Sequence, residues 1–343
     1  MRRRRLIVVA ALLALALVIG FVNRSTVRNL WDQVTGADYA GGGHGSVTLT
    51  ISSGETGTDV AKDLVKNDVV KNFRIVYKLL LARNQTFYPG SYQLRLQMSS
   101  LAALNALADS SNRVSQRVVI KEGYRLSNTF KTLSDATEIS VEQFSAAAKN
   151  LSAIGIPAHE ISAEGWLFPA TYEFDPGLSA TAILSIMVDR TKQELARYNL
   201  ATKDWHRVLT LASVVQKEGR QTPDFYKISR VFLNRIDAGM NLQSDATVSY
   251  GVSGNTVSTS AADRANTNGY NTYLHPGLPV GPISAPGSVA IDAALHPADG
   301  NWLYFCAINL ATGETVFSNT YAEHEVAVRQ WQAWMRANPG YGN

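Results

Sequence analysis

Residues 6–22 read LIVVAALLALALVIGFV, without one charged side chain, and four consecutive arginines stand directly before them. An uncharged run of this length can cross a bilayer as a single helix, at the short end of the usual span of about 17–25 residues. Arginines on its amino-terminal flank keep that end in the cytoplasm, so everything beyond residue 23 is expected outside it. The run closes in VIGFVNR with no small-x-small cleavage site, which reads as an uncleaved anchor. The expected location is the plasma membrane, single-pass, with the folded part extracytoplasmic.

The anchor also explains the charge. The formal net charge is +4, and Arg2, Arg3, Arg4 and Arg5 account for all of it. The remaining chain is neutral and has no long basic run, so it lacks the electrostatic footprint of a nucleic-acid binder. Cys306 is the only cysteine, which excludes an intramolecular disulfide and a cysteine-based metal site. It lies in WLYFCAINL, a β-like apolar run, and reads as a small buried hydrophobe.

After the run, residues 23–45 are polar, Gly-rich and aperiodic, the composition of a tether. Val47, Leu49 and Ile51 then alternate with Thr48, Thr50 and Ser52, the period of a half-buried strand. Two helical stretches, a second strand in FYPGSYQLRL and the helix SSLAALNALAD complete a small β-α-α-β unit. Beyond a strand at RVVI, the spacing predicts helices to about residue 150. An aromatic, Pro-interrupted segment follows at 164–174, then helices at 180–198, 209–220 and 222–240. Residues 241–290 are rich in Gly, Pro, Asn and Ser, and an irregular stretch that long is more often a functional surface than a spacer. A hairpin and a terminal helix close the chain. The fold class is therefore α+β.

The helix LTLASVVQKEGR places Val208, Leu211, Ala212 and Val215 on one stripe, with Glu218 at its edge and Lys217 directed to solvent. A carboxyl half-sheltered by apolar neighbours has its neutral form favoured, as a general acid requires. The chain has no phosphate-binding loop, no nucleophile elbow and no paired-histidine zinc helix, so neither cofactor nor metal is expected. His44 has no second ligand nearby, and His324, between Glu323 and Glu325, reads as a capping or surface residue, with substrate contact the lesser alternative. What remains is carboxylate chemistry surrounded by amides, hydroxyls and rings. Gln243, Ser244 and Asp245 form one polar turn, and YNTY adds Tyr270, Asn271, Thr272 and Tyr273. Such groups bind sugars, because rings stack on aromatic faces and hydroxyls need oriented partners. Each is equally the material of turns and loop packing.

EGWLFPATYEF, LASVVQKEG, SRVFLNRIDAGMNLQSDATVSYG, YNTY, GLPVGPISAPGSVAIDAAL and VFSNTYAEHEVAV resemble, in this order, the signature of the MltG (YceG-like) endolytic murein transglycosylases. The resemblance implies a transmembrane anchor (1–22), the tether (23–45), a LysM-like subdomain (46–115) and a mixed α/β catalytic domain (116–343). It also implies cutting of nascent peptidoglycan strands between N-acetylmuramic acid and N-acetylglucosamine to give 1,6-anhydro ends, and association with peptidoglycan synthases at the membrane. Glu218 falls on the family's catalytic glutamate. Gln243, Ser244, Asp245, Asn271, Thr272, Tyr273, Glu164 and Tyr321 are the expected substrate-binding residues. Two positions depart from the pattern: Gln216 replaces a glutamate, and Ala246 replaces a proline. The rival readings are a non-catalytic wall-binding scaffold and a water-using muramidase with Asp245 or Glu164 as its second carboxylate.

Overall fold

The computed structural model describes residues 37–52, 54–253 and 259–341. The apolar run at 6–22 lies outside them. No helix among the described residues is long and apolar enough to cross a membrane. The described chain is α+β, with twelve α-helices and three small antiparallel sheets. It falls into two compact units that divide between Ser115 and Gln116.

In residues 37–115, β1 (Gly42–Ile51), α1 (Gly57–Lys66), α2 (Phe73–Arg83), β2 (Gly90–Met98), α3 (Ser100–Ala108) and β3 (Arg113–Val114) follow in order. The sheet runs β1-β2-β3, and Leu49 pairs with Tyr92. Leu49 and Ile51 face a core with Val60, Leu64, Val76, Leu94 and Leu104, while Thr48 and Thr50 face water. Thr56 opens α1 with a reciprocal capping box to Asp59. The strand begins before Val47: His44 already pairs with Leu96, and a bulge lies between His44 and Val47. Gly43 has φ +73°, and a Cβ there would come within 2.4 Å of the Leu96 carbonyl oxygen. The glycines taken for tether thus include residues that let β1 close on β2.

In residues 116–341, β4 (Gln116–Val119) pairs with β5 (Thr171–Phe174) across α4 (Leu126–Ala136) and α5 (Val141–Lys149). Then come α6 (Ala180–Ala196), α7 (Trp205–Glu218), α8 (Thr222–Asp237), α9 (Asp245–Gly251), α10 (Ala261–Arg264) and α11 (Ser288–Leu295). The hairpin β6 (Tyr304–Asn309) and β7 (Glu314–Ser318) leads into α12 (Tyr321–Ala337), which packs on it. Cys306 is half-buried on β6.

Helix α7 is the axis of this unit and packs against α8, α9 and α11. Every residue from Val208 to Val215 is buried, so the single apolar stripe seen in the sequence understates its burial. Each Val or Leu so enclosed contributes about 1.5–3 kcal/mol. The polar members of the run are satisfied locally: Thr210 donates to the His206 carbonyl at 2.7 Å, and Ser213 to that of Thr210 at 2.8 Å. A helix buried all round exposes chemistry only at its ends.

Candidate active site

Glu218 is the last residue of α7. Its surroundings come from residues that fold onto that end. Ser213 Oγ accepts from the Ile283 amide at 3.0 Å, and Ser284 Oγ donates to the Ser213 carbonyl at 3.1 Å. These bonds strap the loop before α11 along α7. One turn later Gln216 Oε1 accepts the Gly287 amide, 2.9 Å away, at the N-cap of α11. Gln216 therefore serves as a clamp between two helices, and a carboxamide does this without adding charge beside Glu218. Lys217 is exposed, its Nζ 3.5 Å from the Gly123 carbonyl.

The other wall is the turn entering α9. Ser244 Oγ donates to Glu218 Oε1 at 2.6 Å. Ser244 is itself held by its amide, which donates to Thr272 Oγ1 at 3.1 Å, and by its carbonyl, which accepts from Thr247 Oγ1 at 2.7 Å. The Gln243 amide donates to the Thr272 carbonyl at 3.0 Å. Asn271 is fully buried, donating to the carbonyls of Arg264 and Asn266 and accepting from the Tyr273 amide. Asn271 and Thr272 are both buried, and through these bonds they hold the turn that carries Ser244. Asp245 Oδ1 accepts from Tyr273 at 3.0 Å and from Thr259, with Arg264 at 3.8 Å.

Burial pushes the Glu218 carboxyl above the ordinary glutamate range. The bond from Ser244 opposes this, the negative charge of Asp245 adds to it, and Lys217 pulls it back. The residue as a whole is half-buried at the helix end, not sealed in the core like Val208–Val215. That combination suits a group that gives up a proton and regains it.

Glu164 stands elsewhere. It is only 3% exposed, and its Oε2 accepts from the Leu126 amide at 3.1 Å and from Tyr250 at 3.2 Å. Burial raises its carboxyl to about 7 against these bonds. Tyr250 packs edge-on against Tyr270, and the Arg125 guanidinium lies 5.2 Å from the Tyr250 ring. Tyr321 is 61% exposed at the start of α12, against Tyr304. His324 is half-buried and stacks on Tyr304, while Thr320 and Glu323 form the cap of α12; the reading of His324 as a cap or surface residue is corrected.

Sequence reasoning passed over Arg235, a buried guanidinium bonded to the carbonyls of Leu303 and Leu242 and to Gln243 Oε1. The signal was available. Ile228, Val231, Phe232 and Arg235 recur at helical spacing, which puts the arginine on the buried stripe of α8. Among the described residues, no three His, Cys, Asp or Glu side chains converge to share a metal ion.

A carboxyl pushed above its ordinary range stands at a helix end beside hydroxyl and amide side chains, an arrangement that suits acid–base chemistry. The chain belongs to the YceG-like family, whose sequence profile matches residues 49–330. The Endolytic murein transglycosylase of Bacillus subtilis (strain 168) is 31% identical over 307 residues, covering 83% of this chain and 85% of its own length. The protein of the same name from Streptococcus pneumoniae (strain D39 / NCTC 7466) is 28% identical over 320 residues, covering 81% of this chain but 57% of its own. The crystal structure of a YceG-like protein from Listeria monocytogenes superposes with a TM-score of 0.55 at 27% identity, over 82% of this chain and 99% of that one.

Proposed function

We propose that the chain is an endolytic lytic transglycosylase of peptidoglycan, cleaving nascent strands between N-acetylmuramic acid and N-acetylglucosamine and so ending their elongation. The observation that carries this is the Glu218 carboxyl at the end of α7, which burial pushes above the ordinary glutamate range, on a half-buried residue bonded by Ser244. Neutral Glu218 gives its proton to the glycosidic oxygen as the bond from the muramoyl C1 breaks. The resulting carboxylate takes the proton of the muramoyl C6 hydroxyl as O6 closes on C1. Glu218 ends as it began, and no water is consumed.

A hydrolase needs a second carboxylate across the ring. Glu164 is sealed behind Tyr250 and bonded internally, which removes it from contact with a sugar. Asp245 is nearer, but hydrogen bonds from Tyr273 and Thr259 already occupy one of its oxygens. A positioned intramolecular hydroxyl has a high effective concentration against water. Cleavage of defined strands in 18O-water is therefore expected to leave muramoyl ends that are anhydro and unlabelled. Labelled reducing ends would leave a muramidase, with Asp245 the first position to test. No cleavage at all would leave the wall-binding scaffold.

The amino-terminal unit fits a LysM-like glycan-holding role. Gly57 and Thr58 from the first turn of α1 and Asn84 and Gln85 after α2 line one cleft, with Tyr77 and Leu80 in its wall. Residues 6–22 would anchor both units at the outer face of the plasma membrane, near the synthases that make the strand. Full-length protein is expected in the membrane fraction. A mature chain beginning near residue 25 would exclude the anchor.

A further inference from the structure

The β6–β7 hairpin and the first turn of α12 build an aromatic cluster with one largely exposed member, Tyr321. The Tyr304 ring stacks on the His324 imidazole with centroids 5.2 Å apart and planes at 21°. Tyr321 leans on both, at 5.9 Å from Tyr304 and 6.3 Å from His324. At 61% exposure, Tyr321 buries too little of its ring to serve the core. His324 Nδ1 is buried and has no hydrogen-bond partner within the protein. Burial, and then the Arg235 charge, hold the imidazole below its ordinary range.

The cluster is wired to the acid through few contacts. The Tyr304 ring lies 5.1 Å from the Arg235 guanidinium, which reaches Gln243 Oε1 at 3.4 Å. Gln243 directly precedes Ser244, whose hydroxyl holds Glu218. Arg235 also bonds the carbonyls of Leu303, before β6, and Leu242, before the α9 turn. The segments that carry the cluster and the turn that carries Ser244 are thus fixed to one buried side chain.

We propose that Tyr304, Tyr321 and His324 form a distal sugar-stacking subsite, where one N-acetylhexosamine ring of the strand lies on the exposed face of Tyr321, beyond the sugars joined by the cleaved bond. The pyranose face meets the Tyr321 ring, against which Tyr304 and His324 pack. This subsite deepens the transglycosylase reading and rests on it. It makes the enzyme favour strands long enough to reach the hairpin.

The full chain, its Tyr321→Ala and Tyr321→Phe variants, and the Glu218→Gln chain test it. Cleavage is measured on strands of graded length, and binding of the same strands to Glu218→Gln with and without Tyr321→Ala. The Ala variant is expected to lower the preference for long over short strands about tenfold, the scale of one aromatic contact, chiefly through KM. The Phe variant should retain it. An unchanged preference with Tyr321→Ala overturns the subsite, as does equal loss with Phe. If the wild-type chain cuts no strand, the transglycosylase reading fails separately, and binding by the Glu218→Gln pair still decides the subsite: weaker retention of long strands supports it, and equal retention rejects it. Matching thermal midpoints exclude a folding defect.

Discussion

Glu218→Gln is expected to lower turnover at least about 10³-fold while leaving the thermal midpoint unchanged or slightly higher. General acid–base groups commonly contribute about 10²–10⁴-fold, and here a single side chain performs both transfers, which places the loss toward the upper end. The fold should tolerate the change. Gln can still accept the Ser244 hydroxyl that Glu218 Oε1 accepts, and it removes a carboxyl whose ionisation burial disfavours. The contrasting variant is Gln216→Ala. It strips the Gly287 amide of its partner at about 1 kcal/mol but leaves the proton donor in place, so turnover should stay within roughly tenfold of wild type. Strand cleavage followed by mass analysis, with melting curves alongside, reads both. Near wild-type turnover by Glu218→Gln would reject the assignment.

The second large effect concerns stability. Glu164 is buried, and its carboxyl is raised from 4.5 to about 7. A carboxyl with a folded value above its unfolded one prefers its protonated form in the native state. Its contribution is fully present below about pH 4.5 and is lost as pH rises through about 7, by about 3 kcal/mol in all. Glu164→Gln removes that titration. Both the Leu126 amide and the Tyr250 hydroxyl donate to Oε2, and a carboxamide oxygen can accept both. Denaturant unfolding from pH 4.5 to 8 should therefore show wild type falling relative to the variant by that amount. Other titrating groups cancel in the difference. Parallel curves for the two proteins would show that Glu164 ionises as freely in the fold as outside it.

What could be read from the chain beforehand follows from what leaves a periodic trace. Helix α7 was legible because an apolar run with helical spacing ends abruptly in Gln216, Lys217 and Glu218. The start of β1 was not, since glycines offer no side chains to alternate. Within residues 241–290, α9 and α10 have seven and four residues of mostly small or polar type, too short to show a helical period. The site's polar residues could be named from composition, but their division of labour could not. Ser244 meets Glu218 across 26 positions, and Tyr250 reaches Glu164 across 86. Nothing local distinguishes Ser244, which touches the acid, from Asn271, which does not. Both are buried, and what separates them is the partner each finds in the fold: Glu218 for Ser244, the Arg264 and Asn266 carbonyls for Asn271.

The junction after Glu218 carries a consequence for how such a sequence can vary. Gly219 abuts the flat face of Phe225 on α8, and a Cβ at that position would sit 2.7 Å from Cδ2 and 3.0 Å from Cγ. Phe225 is buried and cannot swing aside. Any larger residue would pry the ends of α7 and α8 apart and carry the carboxyl away from Ser244, though no chemical group had been touched. Under the proposed function, two adjacent positions are therefore constrained for unrelated reasons, one for what its side chain would do and the other because it has none.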